Sequence, residues 1–400
     1  MAWRSTGKFM KRSNSSDGRP ITIIGQPCGW LGAMANEVTH RMLVLCPYPE
    51  GVAAGQRLKY EQYFDDWRRR GIEVQASPFM DMEMWEVVHQ RGHFIQKVAG
   101  TLRGAARRIR DMFRICRFDV VYVFMWVTPL GTTLAERIVR ALAPVVIYDI
   151  EDNVALQAGA TSPGFLMRLL RGTAKPAYLV RVADHVISSS PALNDWCLCH
   201  NRKGRCTYIS SSVDTDRFLP MNRYSNDEVP TIGWTGTFSS KRYLDLLRGV
   251  FIELARTHRF RLRVIGNFDY SLPGVELEVL RWSASEEVAQ MQGIDIGVYP
   301  LPEDDWVSGK SGLKAIQYMA FGLPTVASNV GTTPRIIRHM DNGLLVSTPE
   351  EWLAALKCLL DDPGLRRRLG TAARKAAVAN YSLHAVKSQY STVLDEVIRK

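Results

Sequence analysis

Thr231-Ile-Gly-Trp-Thr-Gly-Thr-Phe-Ser-Ser-Lys241 is a short apolar segment that runs into a loop of glycine, threonine and serine, followed by a helical pattern at Tyr243-Leu-Asp-Leu-Leu247. This order predicts a buried strand, a tight turn and a helix, the unit from which parallel α/β sheets are built. Backbone amides at the start of such a helix bind phosphate, and glycine lets the phosphate approach closely. The spacing fits an ordinary tight turn equally well, so both interpretations stay open at this point.

The same alternation of strand and helix extends in both directions from this unit. On the carboxyl side we predict strands at 261–265, 293–299, 324–327 and 343–346; on the amino side, at 42–46, 71–75, 120–126, 145–149, 183–188 and 207–209. Leu58–Arg70 has the pattern of an amphipathic helix. Short apolar strands separated by helices predict parallel sheets covered on both faces. The sequence therefore predicts an α/β protein of two doubly wound, Rossmann-like domains that face each other across a cleft.

The polar stretch Pro220–Pro230 marks the boundary between these two domains. We predict a disordered extension at 1–40, because its basic residues stand among Ser, Asn and Gly without periodicity. The first domain is predicted at 41–220 and the second, ligand-binding domain at 221–380. A terminal helix at 381–400 is expected to pack back on the first domain.

Composition excludes several classes of protein. Of 400 residues, 46% are hydrophobic and 23% are charged, which is ordinary for a globular chain and too apolar for a disordered one. The apolar run that begins at Val120 is interrupted at Pro129, well short of the ~20 residues that a membrane span requires. No apolar segment of secretory type opens the chain, and the seven cysteines are irregularly spaced. We therefore expect a cytoplasmic protein without a disulfide framework or a metal site.

The net charge of +11 is concentrated in the first half of the chain, where residues 1–220 hold 29 Lys and Arg against 20 Asp and Glu. One basic segment, Thr101–Arg117, contains arginines at helical spacing beside an apolar stripe. The arginines are Arg103, Arg107, Arg110, Arg114 and Arg117, and the stripe is Leu102, Ala106, Ile109 and Phe113. A basic amphipathic helix is typical of proteins that lie on an anionic membrane. The alternative is an outer helix whose apolar stripe packs on the sheet.

A second basic segment repeats this theme with Arg168, Arg171, Lys175 and Arg181. No motif that reads DNA or RNA accompanies either segment. The sequence therefore favours a peripheral contact with an anionic membrane surface, at the inner face of the cell membrane, over nucleic-acid binding.

Two lysines between Trp306 and Ser328 form another candidate site. Lys310 and Lys314 are four residues apart where Gly-Lys-Ser-Gly opens a helix, so we expect both ammonium groups on one helix face. Two cations at the positive end of a helix dipole suit a diphosphate. The alternative is a pair of lysines on a solvated helix face. No earlier glycine stands where a phosphate-binding P-loop requires one.

The run Gly309–Ser328, with Tyr-Met-Ala-x-Gly-x-Pro-x-Val-Ala-Ser, resembles the donor-binding motif of family-4 retaining glycosyltransferases of the GT-B fold. It is most similar to a bacterial subgroup with the pattern Gly-Lys-x3-Lys-x2-Gln-Tyr-Met-Ala. Gly233–Ser239 is similar to the family's first loop in the carboxyl-terminal domain, and Asp295–Leu301 and Asn342–Val346 follow in the family's order. The likeness is strong over residues 230–400 and weaker in the first domain.

The resemblance implies retaining transfer of a hexose from a nucleotide-diphosphate sugar, of UDP or GDP type, to a glycan, lipid-linked or other cell-envelope acceptor. It implies no metal or other cofactor. Lys310 and Lys314 would be the catalytic residues that neutralise the departing diphosphate, aided by the Gly236 and Thr237 amides. The implied donor contacts are Gly55, Arg57, Gly236, Thr237, Lys241, Gly266, Gly309, Ser311 and Gln317.

Two positions depart from the family pattern. The family carries a glutamate at each end of this motif, and here Gly309 and Gln317 stand in those places. Gln317 can still hydrogen-bond a ribose diol, because its amide both donates and accepts. Gly309 leaves the donor sugar without its carboxylate, and Glu303, Asp304 or Asp305 are the neighbouring carboxylates that could replace it.

Asp149 ends the predicted strand at 145–149 and Asp152 follows it, at a strand end where sites in α/β sheets form. We expect them on the acceptor side, or else as a cap of the next helix. The departures at Gly309 and Gln317 leave two alternatives to a transferase. One is a weakly active or silent nucleotide-sugar-binding homologue that acts as a partner subunit, and the other is a nucleotide-sugar epimerase.

Overall fold

The computed structural model describes residues 39–88, 90, 92–129, 131–151, 174–221, 229–304 and 306–398. Its first sheet contains six parallel strands in the order β2-β1-β3-β4-β5-β6. These strands are β1 His40–Cys46, β2 Ile72–Pro78, β3 Val120–Phe124, β4 Val145–Ile150, β5 His185–Ser188 and β6 Cys206–Tyr208. The parallel sheet predicted for the first half of the chain is confirmed. The predicted extension at 1–40 lies almost entirely outside the described residues.

The second sheet also has six parallel strands, in the order β12-β11-β10-β7-β8-β9. They are β7 Thr231–Thr235, β8 Arg261–Ile265, β9 Glu276–Leu280, β10 Ile296–Tyr299, β11 Thr325–Ser328 and β12 Leu344–Val346. The predicted doubly wound arrangement is therefore confirmed, with β9 as an additional strand. It was missed because Glu-Leu-Glu-Val-Leu occupies the sheet edge and carries charges instead of the apolar run of a central strand.

Each sheet reverses its strand order at one internal pair, and this fixes where ligands bind. In the second sheet the chain proceeds from β7 to β8 on one side and returns to β10 on the other. The first sheet reverses in the same way between β1 and β3. Ligands of open α/β sheets bind beyond the strand carboxyl ends at such a reversal. The loops after β7 and β10 are therefore the place for a site in the second sheet.

Helices connect the strands. In the described ranges they are α1 Ala54–Arg57, α2 Phe64–Arg69, α3 Met82–Val88, α4 Phe94–Arg114, α5 Leu134–Leu142, α6 Ala174–Val182, α7 Pro191–His200, α8 Lys241–Leu244, α9 Arg248–Ala255, α10 Glu287–Gln292, α11 Leu313–Ala320, α12 Thr333–Ile336, α13 Pro349–Asp361, α14 Pro363–Tyr381 and α15 Leu383–Ile398. The helix predicted over 58–70 is shorter than expected, because Lys59 and Tyr60 turn into the core before α2 begins. None of these described helices is long and apolar enough to cross a membrane.

The last helix, α15, packs against the first sheet. Tyr390 is buried in the same cluster as Trp67, and its ring centroid lies 4.8 Å from that of Tyr63. Arg70 Nη2 lies 2.5 Å from Asp395 Oδ1. These contacts tie the segment that follows the second sheet to the first.

Helix α4 presents an unexpected face to the first sheet. Its buried residues are Gly100, Gly104, Arg108 and Asp111. A side chain at Gly104 would come within 2.6 Å of Phe79 O, so the backbones approach closely there. The apolar stripe points to solvent instead, with Leu102 66%, Ile109 56% and Phe113 82% exposed. The alternative in which this stripe packs on the sheet is therefore wrong.

Arg108 explains how a helix without buried apolar residues is held in place. Its buried guanidinium donates to the carbonyl oxygens of Cys46, Ser77 and Val127 at 2.7–2.8 Å. Nη1 also lies 3.1 Å from Asp111 Oδ2, which supplies the counter-charge. Because Cys46 and Ser77 stand at the ends of β1 and β2, this arginine fastens α4 to the carboxyl edge of the first sheet.

Asp149 is part of a buried ion pair, which corrects its predicted role on the acceptor side. Its carboxylate contacts Lys59 Nζ and Tyr122 Oη, and both charged side chains are almost completely removed from water. Burial raises the pKa of Asp149, and the nearby Lys59 opposes that rise. The strand end was predicted correctly, but the side chain at that position points into the core. Asp152 lies outside the described residues.

This pair predicts a large effect of charge removal. Asp149→Ala should lower the free energy of unfolding by about 3–5 kcal/mol, because Lys59 is left buried without a counter-charge. The double variant Lys59→Met/Asp149→Leu, which removes both charges, should regain most of that loss. Guanidinium chloride unfolding of the three proteins measures both effects. Equal losses in the single and double variants would show that shape, and not charge, sets the stability here.

Candidate active site

Lys310 and Lys314 come together beyond the carboxyl end of β10, but not as members of one helix face. Lys310 has extended backbone (φ −73°, ψ 137°), and α11 begins only at Leu313. Gly312 has φ +72°, and a side chain there would meet Ile336 at 2.2 Å. The turn at Gly312 therefore brings the lysines together. The predicted juxtaposition holds, and the predicted shared helix face is corrected.

Lys314 has no carboxylate partner within the ranges that the structure describes. Its Nζ lies 4.5 Å from the centroid of the Trp234 ring and 3.3 Å from Ser240 Oγ. Burial, with the charge of Lys310 as a second cause, lowers the pKa of Lys314 from the ordinary 10.5 to about 7. An ammonium group in this environment is stabilised by an incoming anion.

Aromatic rings also surround the second lysine. Lys310 Nζ lies 5.6 Å from the ring centroid of Tyr243 and 5.8 Å from that of Trp306. A cation–π contact stabilises an ammonium group by about 0.5–2 kcal/mol. Together with Trp234, these rings line the place where the two ammonium groups approach each other. The sequence alone did not reveal the rings as part of the site, because their contacts come from three separate segments.

In the loop after β7, the predicted phosphate-binding amides donate to groups of the protein itself. Gly236 N donates to Ile265 O, and Thr237 N donates to Ser240 Oγ, both at 3.0 Å. A side chain at Gly236 would overlap the Trp234 ring at 2.3 Å. This glycine is therefore needed for packing, and the expectation that both amides await a phosphate is corrected.

Gly266 and Lys241 lie beside the same loop. A side chain at Gly266 would come within 2.4 Å of Gly236 O, so Gly266 allows the two loops to touch. Lys241 Nζ lies 5.6 Å from the ring centroid of Tyr270. The cation that shifts the pKa of Lys314 is Lys310 and not Lys241.

Ser311 and Gln317 flank Lys314 in the chain and are buried. Ser311, at 7% exposure, belongs to the turn before α11, and Gln317, at 6%, lies within that helix. The described residues offer the Gln317 side chain no hydrogen-bond partner. Its amide atoms are not among the fully enclosed polar atoms that lack a partner, so they remain accessible to a polar ligand.

Two of the predicted positions, Gly309 and Arg57, make polar contacts between the first domain and the second. Ser189 Oγ donates to Gly309 O at 3.0 Å, and Arg57 Nη2 lies 2.7 Å from Glu287 Oε1. Gly309 therefore serves as a backbone contact between domains at the position where the family has a glutamate. Arg57, expected near a phosphate, is paired with a carboxylate that is only 5% exposed. Sequence reasoning missed Glu287 because nothing in its neighbourhood indicates contact with a residue 230 positions earlier.

The remaining predicted positions lie at the edges of this region. A side chain at Gly55 would overlap Glu151 Oε2 at 2.5 Å, so Gly55 lets α1 pack near the end of β4. Glu303 and Asp304 line a cavity of about 370 Å³ that also touches Gly331. Asp305 lies outside the described residues. Within the described ranges, no cluster of His, Cys, Asp and Glu is suited to hold a metal ion.

Comparison with known proteins places this arrangement in a family. A profile described as "Glycosyl transferases group 1" matches residues 229–362. A D-inositol 3-phosphate glycosyltransferase of Thermobispora bispora is 33% identical, over 82% of this chain and 80% of its own length. The chain belongs to the group 1 glycosyltransferases. Matches to other curated relatives are shorter, and the first four of them cover only 23–36% of the length of those proteins. One of these relatives is a D-inositol 3-phosphate glycosyltransferase of Pseudarthrobacter chlorophenolicus, which is 30% identical over 36% of its length.

This group 1 glycosyltransferase also matches solved structures in fold. Sucrose-phosphate synthase of Thermosynechococcus elongatus superimposes with a TM-score of 0.67 at 16% identity, covering 90% of this chain and 99% of the other. HepE of Anabaena, solved in complex with UDP-glucose, superimposes with a TM-score of 0.60 at 14% identity, covering 89% and 100%. The predicted GT-B fold is therefore confirmed.

Lys314 predicts a stability that depends on pH. The pKa of Lys314 is lower in the folded than in the unfolded state, so above pH 7 the folded protein binds fewer protons than the unfolded protein. The free-energy penalty of the desolvated charge on Lys314 therefore decreases as the pH rises. At pH 6.5 we expect Lys314→Met to be more stable than wild type by about 1–3 kcal/mol, with a smaller difference at pH 9.5.

Chemical unfolding at the two pH values measures this difference. Lys375→Met, a matched change at an exposed lysine of α14, should stay within about 0.5 kcal/mol of wild type at both. A Lys314→Met protein that is less stable than wild type at pH 6.5 contradicts the assignment of an uncompensated charge.

Proposed function

We propose that the protein is a retaining glycosyltransferase that moves a hexose from a nucleotide-diphosphate sugar, of UDP or GDP type, to a glycan or lipid-linked acceptor. The observation that carries this proposal is the half-buried Lys314, which lies against the Trp234 ring and beside Lys310, with no carboxylate to balance it among the described residues. A diphosphate has the charge and the size to fill that position. Family membership and the UDP-glucose complex of HepE support the same class of donor.

The two lysines act on the leaving group. During transfer the bond between the anomeric carbon and the phosphate oxygen breaks, and negative charge grows on that oxygen. Ammonium groups fixed at this point stabilise the transition state more than the bound donor. The amino terminus of α11 adds the partial positive charge of its backbone dipoles.

The acceptor hydroxyl attacks from the face that the diphosphate leaves. Its oxygen forms the new bond to the anomeric carbon, and its proton passes to the departing phosphate oxygen, so the configuration is retained. In this proposal Gln317 hydrogen-bonds the donor ribose in both the ground state and the transition state. The lysines supply the positive charge that a metal ion provides in other phosphate chemistry, and the proposal therefore includes no metal.

The acceptor belongs to the cell envelope in this proposal, and transfer takes place on the cytoplasmic side of the membrane. The relatives named D-inositol 3-phosphate glycosyltransferase show that members of the family use small phosphorylated acceptors, so a soluble acceptor is an outcome to be tested. A panel of lipid-linked and soluble acceptors, each with labelled donor, distinguishes the two.

A second candidate is a donor-binding homologue with little activity. The observation that favours it is Gly309, which offers a backbone oxygen to Ser189 in place of the family's glutamate. Donor binding without hydrolysis or transfer, for every acceptor supplied, would select this alternative.

Substitution of the lysines separates charge stabilisation from binding. Lys310→Ala and Lys314→Ala should each lower the rate of single-turnover transfer by roughly 10²–10³-fold, as expected for loss of one preorganised group. Gln317→Ala should chiefly weaken donor affinity, because its contact exists in both states. Circular dichroism controls for folding. Full activity in the double lysine variant would mean that the lysines form only a solvated face.

Donor affinity should fall as the pH rises. A bound diphosphate requires charged Lys314, whereas the free protein loses this proton with a pKa of about 7. Above pH 7 the affinity for the donor is expected to drop by up to about tenfold per pH unit, with proton uptake on binding. Calorimetry in buffers of different ionisation enthalpy measures both quantities. Lys314→Arg, which stays charged, serves as the matched control and should flatten the profile.

A further inference from the structure

Helix α4 exposes a continuous apolar stripe along its length. The exposed side chains, 42–83% accessible, are Ile95, Val98, Leu102, Ile109 and Phe113. Residues three and four apart lie on one face of a helix, so these side chains form a single band. Contiguous apolar surface of this kind marks an interaction site on a soluble domain.

The structure leaves α4 no way to turn this band inward. Gly100 lies against Met84 and Gly104 against Phe79, where any side chain would overlap within 3 Å. Arg108, on the same buried face, is bonded to three backbone carbonyls. The outward orientation of the stripe is therefore built into the packing of the helix.

Charge along the stripe selects the kind of partner. Arg110 and Arg117 lie seven residues apart along one side and are exposed, whereas Arg103 on the same side is paired with Asp81 and Glu83. The only acidic residue between 94 and 117 is Asp111, which is buried beneath the helix. A second copy of this chain would bring arginine against arginine. A partner with negative charge beside an apolar layer fits both features.

We propose that this stripe docks the protein on an anionic lipid bilayer, with α4 lying in the plane of the headgroups. The apolar side chains enter the acyl boundary, and the arginines contact anionic headgroups, each adding about 1 kcal/mol near the surface. Gly104 packs on Phe79, just past the end of β2, so docking brings the carboxyl edge of the first sheet close to the lipid. Membrane docking itself needs no catalysis. The inference rests on the proposed function only where it assumes that the acceptor is bound at the membrane.

Vesicle co-sedimentation tests the surface with the full chain. Wild type should bind vesicles of phosphatidylcholine with phosphatidylglycerol at least about tenfold more strongly than vesicles of phosphatidylcholine alone. Replacing four residues of the stripe (Ile95→Gln, Leu102→Gln, Ile109→Gln and Phe113→Gln) should lower binding to the anionic vesicles at least about tenfold. Arg110→Gln/Arg117→Gln should reduce the preference for anionic lipid. A matched control, Leu134→Gln/Leu198→Gln/Leu246→Gln, changes exposed leucines elsewhere and should bind like wild type.

Three results would overturn the proposal. The first is equal vesicle binding by wild type and the stripe variant, and the second is wild-type binding without a preference for anionic lipid. The third is a wild-type protein that does not bind vesicles but forms a dimer in solution, which the stripe variant abolishes. Donor affinity, measured by calorimetry with UDP-glucose and GDP-mannose, should be the same in wild type and every variant. Vesicle binding without donor binding would refute the proposed function but support the proposed membrane surface. Donor binding without vesicle binding would support the proposed function but refute the membrane surface.

Discussion

Lys314 is held against the face of Trp234, beside a second lysine, where the described residues supply no carboxylate to balance it. Removing a charge from water without a partner opposes folding, so this arrangement persists only because the surrounding structure enforces it. The left-handed turn at Gly312 directs Lys310 back toward α11, and the glycine at 236 leaves room for the Trp234 ring. In the proposed function, packing of the surrounding chain holds the two lysines in an anion site that is unfavourable when empty.

The sheet topology explains why the uncompensated charge of Lys314 lies at this position. The lysines lie beyond the carboxyl end of β10, one of the two strands between which the second sheet reverses its order. Contacts from the first domain reach the same sheet through Ser189 and Arg57. The contacts between the domains and the local positive charge therefore come from different parts of the chain, and the proposed function requires both.

Much of the fold follows directly from the sequence, because short apolar strands such as Val120–Phe124 have one structural meaning in an alternating α/β pattern. The exceptions share a physical cause. The edge strand β9 carries charges, so it lacks the apolar signal of its neighbours. Helix α4 shows an amphipathic pattern, but its buried face is formed by glycines and Arg108, a solution that hydrophobic periodicity cannot indicate. Within the candidate site, the nearness of Lys310 and Lys314 was predictable from their spacing. The contacts of Trp234 and Glu287 and the burial of Asp149 were not, because they depend on residues from distant segments.

The central claim is that a diphosphate fills the position between the two lysines. A crystal structure with a bound, non-hydrolysable nucleotide-diphosphate sugar tests this most directly. We expect diphosphate oxygens within about 3 Å of both Lys310 Nζ and Lys314 Nζ, a distance typical of charge-assisted hydrogen bonds, with Lys314 moved from Trp234 toward the ligand. A diphosphate bound elsewhere in the cleft, with Lys314 still on the Trp234 ring, would contradict the claim.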